Sequence, residues 1–136
     1  MYQHSIDIRV RYGETDQMGY LYYGFYALYY EQGRTEAIRN LGVTYKELEE
    51  NGIIMPVASM ESKYLRPAHY DDLVKVVTTV KELPTGPFIT FHTELFNAQN
   101  KLMNIASVTL AFYDPINKSK VNAPEYLIEK LRPYFK

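Results

Sequence analysis

The chain has no cysteine. Disulfide bonds, thiolate nucleophiles and cysteine-based metal sites are therefore excluded, and the expectation is a protein of the reducing cytoplasm. Tryptophan is also absent. No apolar run approaches the roughly 20 residues that span a bilayer as a helix. The opening MYQHSIDIRV lacks the apolar core of a signal peptide. Excess charge is missing too. The net charge is −1, with no basic stripe and no run of like charges, so neither nucleic acid nor an anionic membrane is an expected partner. The three histidines, His4, His69 and His92, form no metal-ligand spacing. No serine lies in a G-x-S-x-G turn, and no glycine-rich loop offers a phosphate cradle. No metal and no cofactor is expected.

Tyrosine is abundant. There are 14 Tyr and 6 Phe in 136 residues. Tyrosine suits surfaces that are buried but need a polar tip, subunit interfaces among them. The hydrophobic fraction of 46% and charged fraction of 23% fit one soluble domain with a true core, spanning residues 1–136. The most informative stretch runs from Tyr12 to Arg39. A polar turn carries Glu14, Thr15 and Asp16, Gly19 follows, and a tyrosine-rich helix is expected from about Tyr22 to Leu41. Between Tyr20 and Tyr30 only Gly24 and Ala27 lack a large side chain, which predicts a helix start buried on every face. A carboxylate just ahead of such a helix has two readings. Asp16 or Thr15 can be a turn or capping residue. Asp16 can also be a base or nucleophile beside free N–H groups that hold an oxyanion.

Around that helix the pattern is simple. Tyr2 to Arg11 alternates as a half-buried strand, with His4 on its apolar face as a packed or edge residue. Gly33, inside the helix, marks a place where another backbone comes close, and Asn40-Leu41-Gly42 is a glycine stop. A short helix opens at Thr44 with Glu47 at capping-box spacing and ends at Asn51-Gly52. Four strands follow: Ile53–Leu65, with Pro56 at an edge or bulge, Leu73–Glu82, Phe88–Phe96 and Leu102–Tyr113. Pro84–Pro87 forms a turn and 97–101 a hairpin connection. Pro124 and Glu125 open a tail helix whose Leu127, Ile128, Leu131 and Phe135 dock on the body. The fold class is α+β, an antiparallel sheet wrapped around one long central helix. Such a sheet has edges, and a homodimer or a dimer of dimers would cover them.

This order resembles the hotdog fold. The 12–39 stretch is similar to the 4-hydroxybenzoyl-CoA thioesterase-like group, above all its small acyl-CoA thioesterases. The likeness lies in Tyr12, Glu14-Thr15-Asp16, Gly19, Tyr20-Leu21, Tyr22-Tyr23-Gly24-Phe25-Tyr26 and Glu31-Gln32-Gly33-Arg34. Tyr64-Leu65-Arg66-Pro67-Ala68, Asp72-Leu73 and Asn97 to Leu102 extend it, so that it covers residues 4 to 125. Two positions depart. Tyr23 stands where those thioesterases usually carry His, and Phe25 where they carry Asn. The 4-hydroxybenzoyl-CoA enzymes also have an aromatic residue in place of that His.

The resemblance implies hydrolysis of an acyl-CoA thioester, with coenzyme A present only as part of the substrate. It implies Asp16 as catalytic carboxylate and a carbonyl oxygen held by backbone N–H groups near Tyr23. Gly19, Tyr22 and Tyr26 would border the substrate. Glu31, about 12 Å along the helix from Tyr23 at 1.5 Å per residue, is a second candidate carboxylate, since a related hotdog branch uses a helical Glu there. The alternative is an ion pair with Arg34 or Arg39 from its own or a facing helix. Lys63, Arg66 and Lys101 could meet the phosphates of coenzyme A, or be ordinary solvated charges. The rival functions are hydrolysis of an acyl group carried on a carrier protein, and a non-catalytic module that binds an acyl group or a partner.

Overall fold

The computed structural model describes residues 1–135. Strand β1 (Tyr2–Arg9) leads through a 3-10 turn at Tyr12–Glu14 and a second at Tyr23–Phe25 into helix α1 (Tyr26–Asn40). Helix α2 (Tyr45–Glu50) follows. Then come β2 (Val57–Tyr64), β3 (Leu73–Val80), β4 (Phe88–Phe96), β5 (Leu102–Ala111), a small hairpin of β6 (Tyr113–Asp114) and β7 (Ser119–Lys120), and helix α3 (Glu125–Leu131). The main sheet is antiparallel, in the order β1-β3-β4-β5-β2. Helix α1 packs across β1, β3 and β4. This is the α+β hotdog arrangement that the sequence implies.

Local chemistry explains the elements. α1 ends in a Schellman stop: Gly42, at φ 94°, donates to the Arg39 carbonyl, and Val43 donates to the Ile38 carbonyl. Thr44 caps α2 by accepting from the Glu47 N–H at 3.0 Å. Pro56 precedes the edge strand β2, whose register shifts between Val57 and Ser59, so the proline stands where an edge tolerates it. Leu127 and Leu131 of α3 are buried, and Ile128 and Phe135 pack against the same core.

Several expectations are corrected. The strand expected over Ile53–Leu65 begins only at Val57, because Ile54 makes an isolated bridge to Tyr113 instead. The last strand breaks at Phe112 into β5 and the β6–β7 hairpin. The helix does not start as a regular α-helix at Tyr22; its first turn is 3-10. Nor is that start buried on every face. Tyr26, Tyr29 and Tyr30 face the core, whereas Tyr23 is 67% exposed and Leu28 50% exposed in the single chain. Gly33 does mark a close approach, but to side chains rather than to backbone. A Cβ there would lie 2.7 Å from both Val76 Cγ1 and Thr78 Oγ1 of β3.

Tyr30 links the helix to the far side of the sheet. Its hydroxyl bonds Ser62 Oγ of β2 at 2.7 Å and donates to the Asn104 side-chain oxygen of β5. Asn104 is fully buried and donates onward to the Lys63 carbonyl at 3.0 Å. Burial pushes the Tyr30 hydroxyl up to about 12, so it stays protonated as the donor this network needs. The sheet's two edges are β1 and β2, and β2 exposes Val57, Met60 and Tyr64.

Gly33→Ala tests the helix–sheet contact. Helix propensity alone favours Ala by about 1 kcal/mol. Overpacking against β3 costs about 1–3 kcal/mol, and the 2.7 Å clashes decide the sign. Thermal unfolding of the variant is expected at a lower temperature than wild type; a rise would show that the helix is free to lift off β3.

Candidate functional site

The site is built on the turn between β1 and α1. Asp16 is half-buried and closes this turn on itself. Its Oδ1 accepts from the N–H of Met18 at 2.9 Å and of Tyr20 at 3.2 Å. Gly19 donates to the Asp16 carbonyl at 3.0 Å with φ 76°, a backbone conformation that glycine adopts without strain. The turn is then stitched to the segment after β2: Leu21 donates to the Ala68 carbonyl at 2.7 Å, and Tyr20 bridges His69. The capping reading and the chemical reading of Asp16 are thus compatible, because only one carboxylate oxygen is used by the turn.

Glu14 fixes the turn to the helix. Only 8% of it is exposed. Its Oε1 accepts from the Arg11 N–H at 2.9 Å and from the Tyr29 hydroxyl at 2.7 Å, and its Oε2 meets the Arg11 guanidinium at 3.4 Å. Burial alone would raise its pKa. The Arg11 backbone bond, the Tyr29 hydroxyl and the Arg11 charge outweigh that and hold it below the usual glutamate range. Tyr29 responds in the opposite sense. Burial and the facing carboxylate push its hydroxyl far up, so it remains a donor. Sequence reasoning gave Glu14 no role, because its partner Tyr29 lies 15 residues on and no local pattern joins the two.

A cleft of about 440 Å³ opens beside this turn, lined by Asp16, Met18, Tyr20, Leu21, Tyr23, Tyr26, Tyr64, Leu65, Arg66 and Pro67. It lies at the start of the 3-10 turn, where the N–H groups of Tyr23 and Gly24 have no acceptor within the helix. Aromatic walls dominate, with Tyr26 and Tyr64 edge-to-face at 5.0 Å. One carboxylate, free helix-start donors and an apolar enclosure can together bind a carbonyl compound and attack it. Sequence reasoning missed Met18, Tyr20, Leu21, Tyr64, Leu65 and Pro67 as lining residues. The signal for Tyr64-Leu65 was their place at a strand end directly before Arg66-Pro67.

The other candidates divide. Asp16, Tyr23, Tyr26 and Arg66 come together in the cleft. Gly19 shapes the turn without lining it. Tyr22 does not line it either: its ring covers Gly24, where a Cβ would lie 2.8 Å from the ring edge. Arg66 donates to the Leu102 carbonyl at 3.2 Å and also borders a neighbouring cleft with His69, Asn97 and Gln99. Lys63 lines a separate depression with His92 and Ile105. Lys101 is exposed on the hairpin, its N–H donating to Asn97. Glu31 is exposed and lies in another cleft altogether, with Arg34 and Tyr45. The expected pairing of Glu31 with Arg34 or Arg39 is absent among the described residues; Arg39 pairs with Glu36 at 3.3 Å. Both side chains line one cleft, but Arg34 is buried there while Glu31 stays exposed to water. No three His, Asp or Glu side chains gather as a metal-ligand set among the described residues. No helix there is long and apolar enough to cross a membrane.

Comparison with known proteins gives a consistent picture. Residues 10–131 match the family described as the thioesterase-like superfamily. The acyl-CoA thioesterase YbgC of Haemophilus influenzae is 36% identical over 112 residues, which is 81% of this chain and 80% of that protein. YneP of Bacillus subtilis is 40% identical over 76 residues, a match spanning 56% of this chain and 55% of YneP. The crystal structure of a DHNA-CoA thioesterase from Staphylococcus aureus superposes with a TM-score of 0.89 at 30% identity, covering 98% of this chain and 89% of that one.

The Glu14 anchor gives a pH-dependent prediction. Its folded pKa is lowered, so its contribution to stability is present above the unfolded-state value and is lost as pH falls through the folded one. At neutral pH Glu14→Gln is expected to lose about 1.5–3 kcal/mol, the scale of a hydrogen bond to a charged group. The gap between the two proteins should close as the solution is acidified below the ordinary glutamate range. A gap that stays constant down to acid pH would mean that the charge does not hold the turn.

Proposed function

The chain belongs to the thioesterase-like superfamily, and on that premise we propose that it hydrolyses an acyl-CoA thioester to the free acid and coenzyme A, with Asp16 as the reacting carboxylate. The observation that carries this reading is the shared cleft of Asp16 and the Tyr23 helix start. The relatives with acyl-CoA and DHNA-CoA in their names support the substrate class.

The chemistry asked of the cleft is modest. The thioester carbonyl oxygen lies against the free N–H groups of Tyr23 and Gly24, which stabilise the negative charge that develops there. Asp16 Oδ2 is the oxygen left over from the turn. As a base it takes a proton from water while the water oxygen bonds to the carbonyl carbon. As a nucleophile it bonds to that carbon itself, and water later cleaves the mixed anhydride. By either route the carbon–sulfur bond breaks, and the thiolate of coenzyme A leaves and takes up a proton. The acyl group rests against Tyr26, Tyr64 and Leu65. Arg66, at the boundary with the neighbouring cleft, is positioned for the polar arm of the carrier.

The same reading includes a homo-oligomer based on a two-fold dimer. The unpaired β2 edge and the exposed Tyr23 and Leu28 beside the cleft support it. Light scattering at micromolar concentration should give at least twice the 15.9 kDa chain mass. A monomer at that concentration would remove this part of the proposal.

Asp16→Asn isolates the chemistry from the turn. The asparagine oxygen can still accept from Met18 and Tyr20, whereas neither a base nor a nucleophile remains. We expect kcat on acyl-CoA to fall about 10²-fold or more with KM little changed and the fold intact. Glu31→Gln should lose far less, since Glu31 lies outside the cleft. Near-normal kcat in Asp16→Asn would sink the assignment. Faster turnover of a carrier-protein thioester than of the coenzyme A ester would move the substrate to the other carrier.

A further inference from the structure

The cleft that contains Glu31 has a chemistry of its own. It encloses about 420 Å³ between α1, α2 and the segment before β2. Its apolar wall is formed by Leu48, Ile53, Ile54, Met55 and Leu110. Thr35 and the carboxylates Glu31 and Glu49 line it as well, and two further polar groups lie among them. Arg34 is only 6% exposed and makes no ion pair among the described residues, and its Nε is sealed from water without an acceptor. The hydroxyl of Tyr45 is likewise buried with no partner. The two groups are neighbours. Burial raises the Tyr45 pKa; the charge and the polar side chain of Arg34, and Thr35 beside it, pull against that rise, and the Glu31 carboxylate adds to it.

An arginine stays charged at any physiological pH. A buried charge without a counter-charge costs several kcal/mol and is found where something supplies that counter-charge. The own-chain carboxylates at the rim, Glu31 and Glu49, are exposed and form no ion pair with Arg34. We propose that this cleft is a second ligand site, which takes an apolar monocarboxylate: the carboxylate bonds to the Arg34 guanidinium and the Tyr45 hydroxyl, and the hydrocarbon lies along Leu48, Ile53, Met55 and Leu110. Guanidinium matches a carboxylate in shape and charge, and the phenol adds a third donor. The two rim glutamates disfavour a dianion and so favour a single charge. The binding is independent of the reaction at Asp16. Its one link to that reaction is that the acid released by the proposed hydrolysis belongs to this ligand class, and that link rests on the function proposed above.

Methyl NMR of the full chain tests it, since Met55 lines this cleft and Met18 lines the Asp16 cleft. Octanoate is titrated against octanamide, its neutral counterpart, in wild type and in the Asp16→Asn variant. Octanoate is expected to shift the Met55 methyl saturably in both proteins, and octanamide to leave it in place. Tyr45→Phe removes one hydroxyl and should weaken octanoate binding about tenfold, the effect of one hydrogen bond to a charged group. Arg34→Gln should abolish binding if it folds. No Met55 shift up to about 10 mM, weaker than the millimolar scale of specific binding, would overturn the proposal. So would equal shifts with octanamide, a shift of Met18 alone, or binding unchanged in Tyr45→Phe. Because the Asp16→Asn protein binds but does not turn over, failure of this site and failure of the proposed reaction read out separately.

Discussion

The geometry at the cleft depends on one buried carboxylate. Glu14 receives the Arg11 N–H, the Tyr29 hydroxyl and the Arg11 guanidinium, and so joins the end of β1, the turn and the buried side of α1. Charge-assisted hydrogen bonds in a desolvated place are stronger than neutral ones. Two residues on, the role proposed for Asp16 requires its position to hold to within a fraction of an ångström. A turn carried by exposed backbone alone would not provide that. The polar hairpin from Thr15 to Leu21 is rigid because it is fixed from below by Glu14 and from the side by Ala68 and His69.

Much of this was legible in the sequence, for physical reasons that differ from element to element. The alternation in Tyr2–Arg11 and Phe88–Phe96 reads directly as strands with one buried face. The Asn40-Leu41-Gly42 stop and the Thr44 cap are local chemistry that tertiary context did not override. What was not legible depended on contacts distant in sequence. The Glu14–Tyr29 bond could not be deduced from spacing, nor could the course of Ile53–Met55, which a bridge to Tyr113 decides. The same is true of Arg34. On a helical wheel it pairs naturally with Glu31 at i, i+3, yet in the cleft they share Arg34 is buried and Glu31 is left exposed, with no ion pair between them. Among the candidate site residues, Asp16, Tyr23, Tyr26 and Arg66 were brought into one cleft, whereas the apparent kinship of Lys63 and Glu31 with them was a matter of sequence position only.

On the two proposals above, the clefts divide the helix between two tasks. Its first turn offers unpaired donors beside an acidic turn, a setting for negative charge that forms transiently. Its middle offers a permanent positive charge that is buried beside apolar side chains, suited to an anion that already exists. A single tyrosine-rich helix can present both because Gly33, between them on the face toward β3, lets the backbone settle close to the sheet without lateral shift.

The Tyr30 network under β2 has a consequence for association. Edge strands are commonly loose in an isolated chain and gain their order when a neighbour arrives. Here Ser62 and the Lys63 carbonyl are already held from the core side by Tyr30 and Asn104. The strand's conformational entropy is therefore lost during folding, before any encounter. A chain arriving at that edge meets a rigid template, and its own docking need not wait for β2 to find its shape.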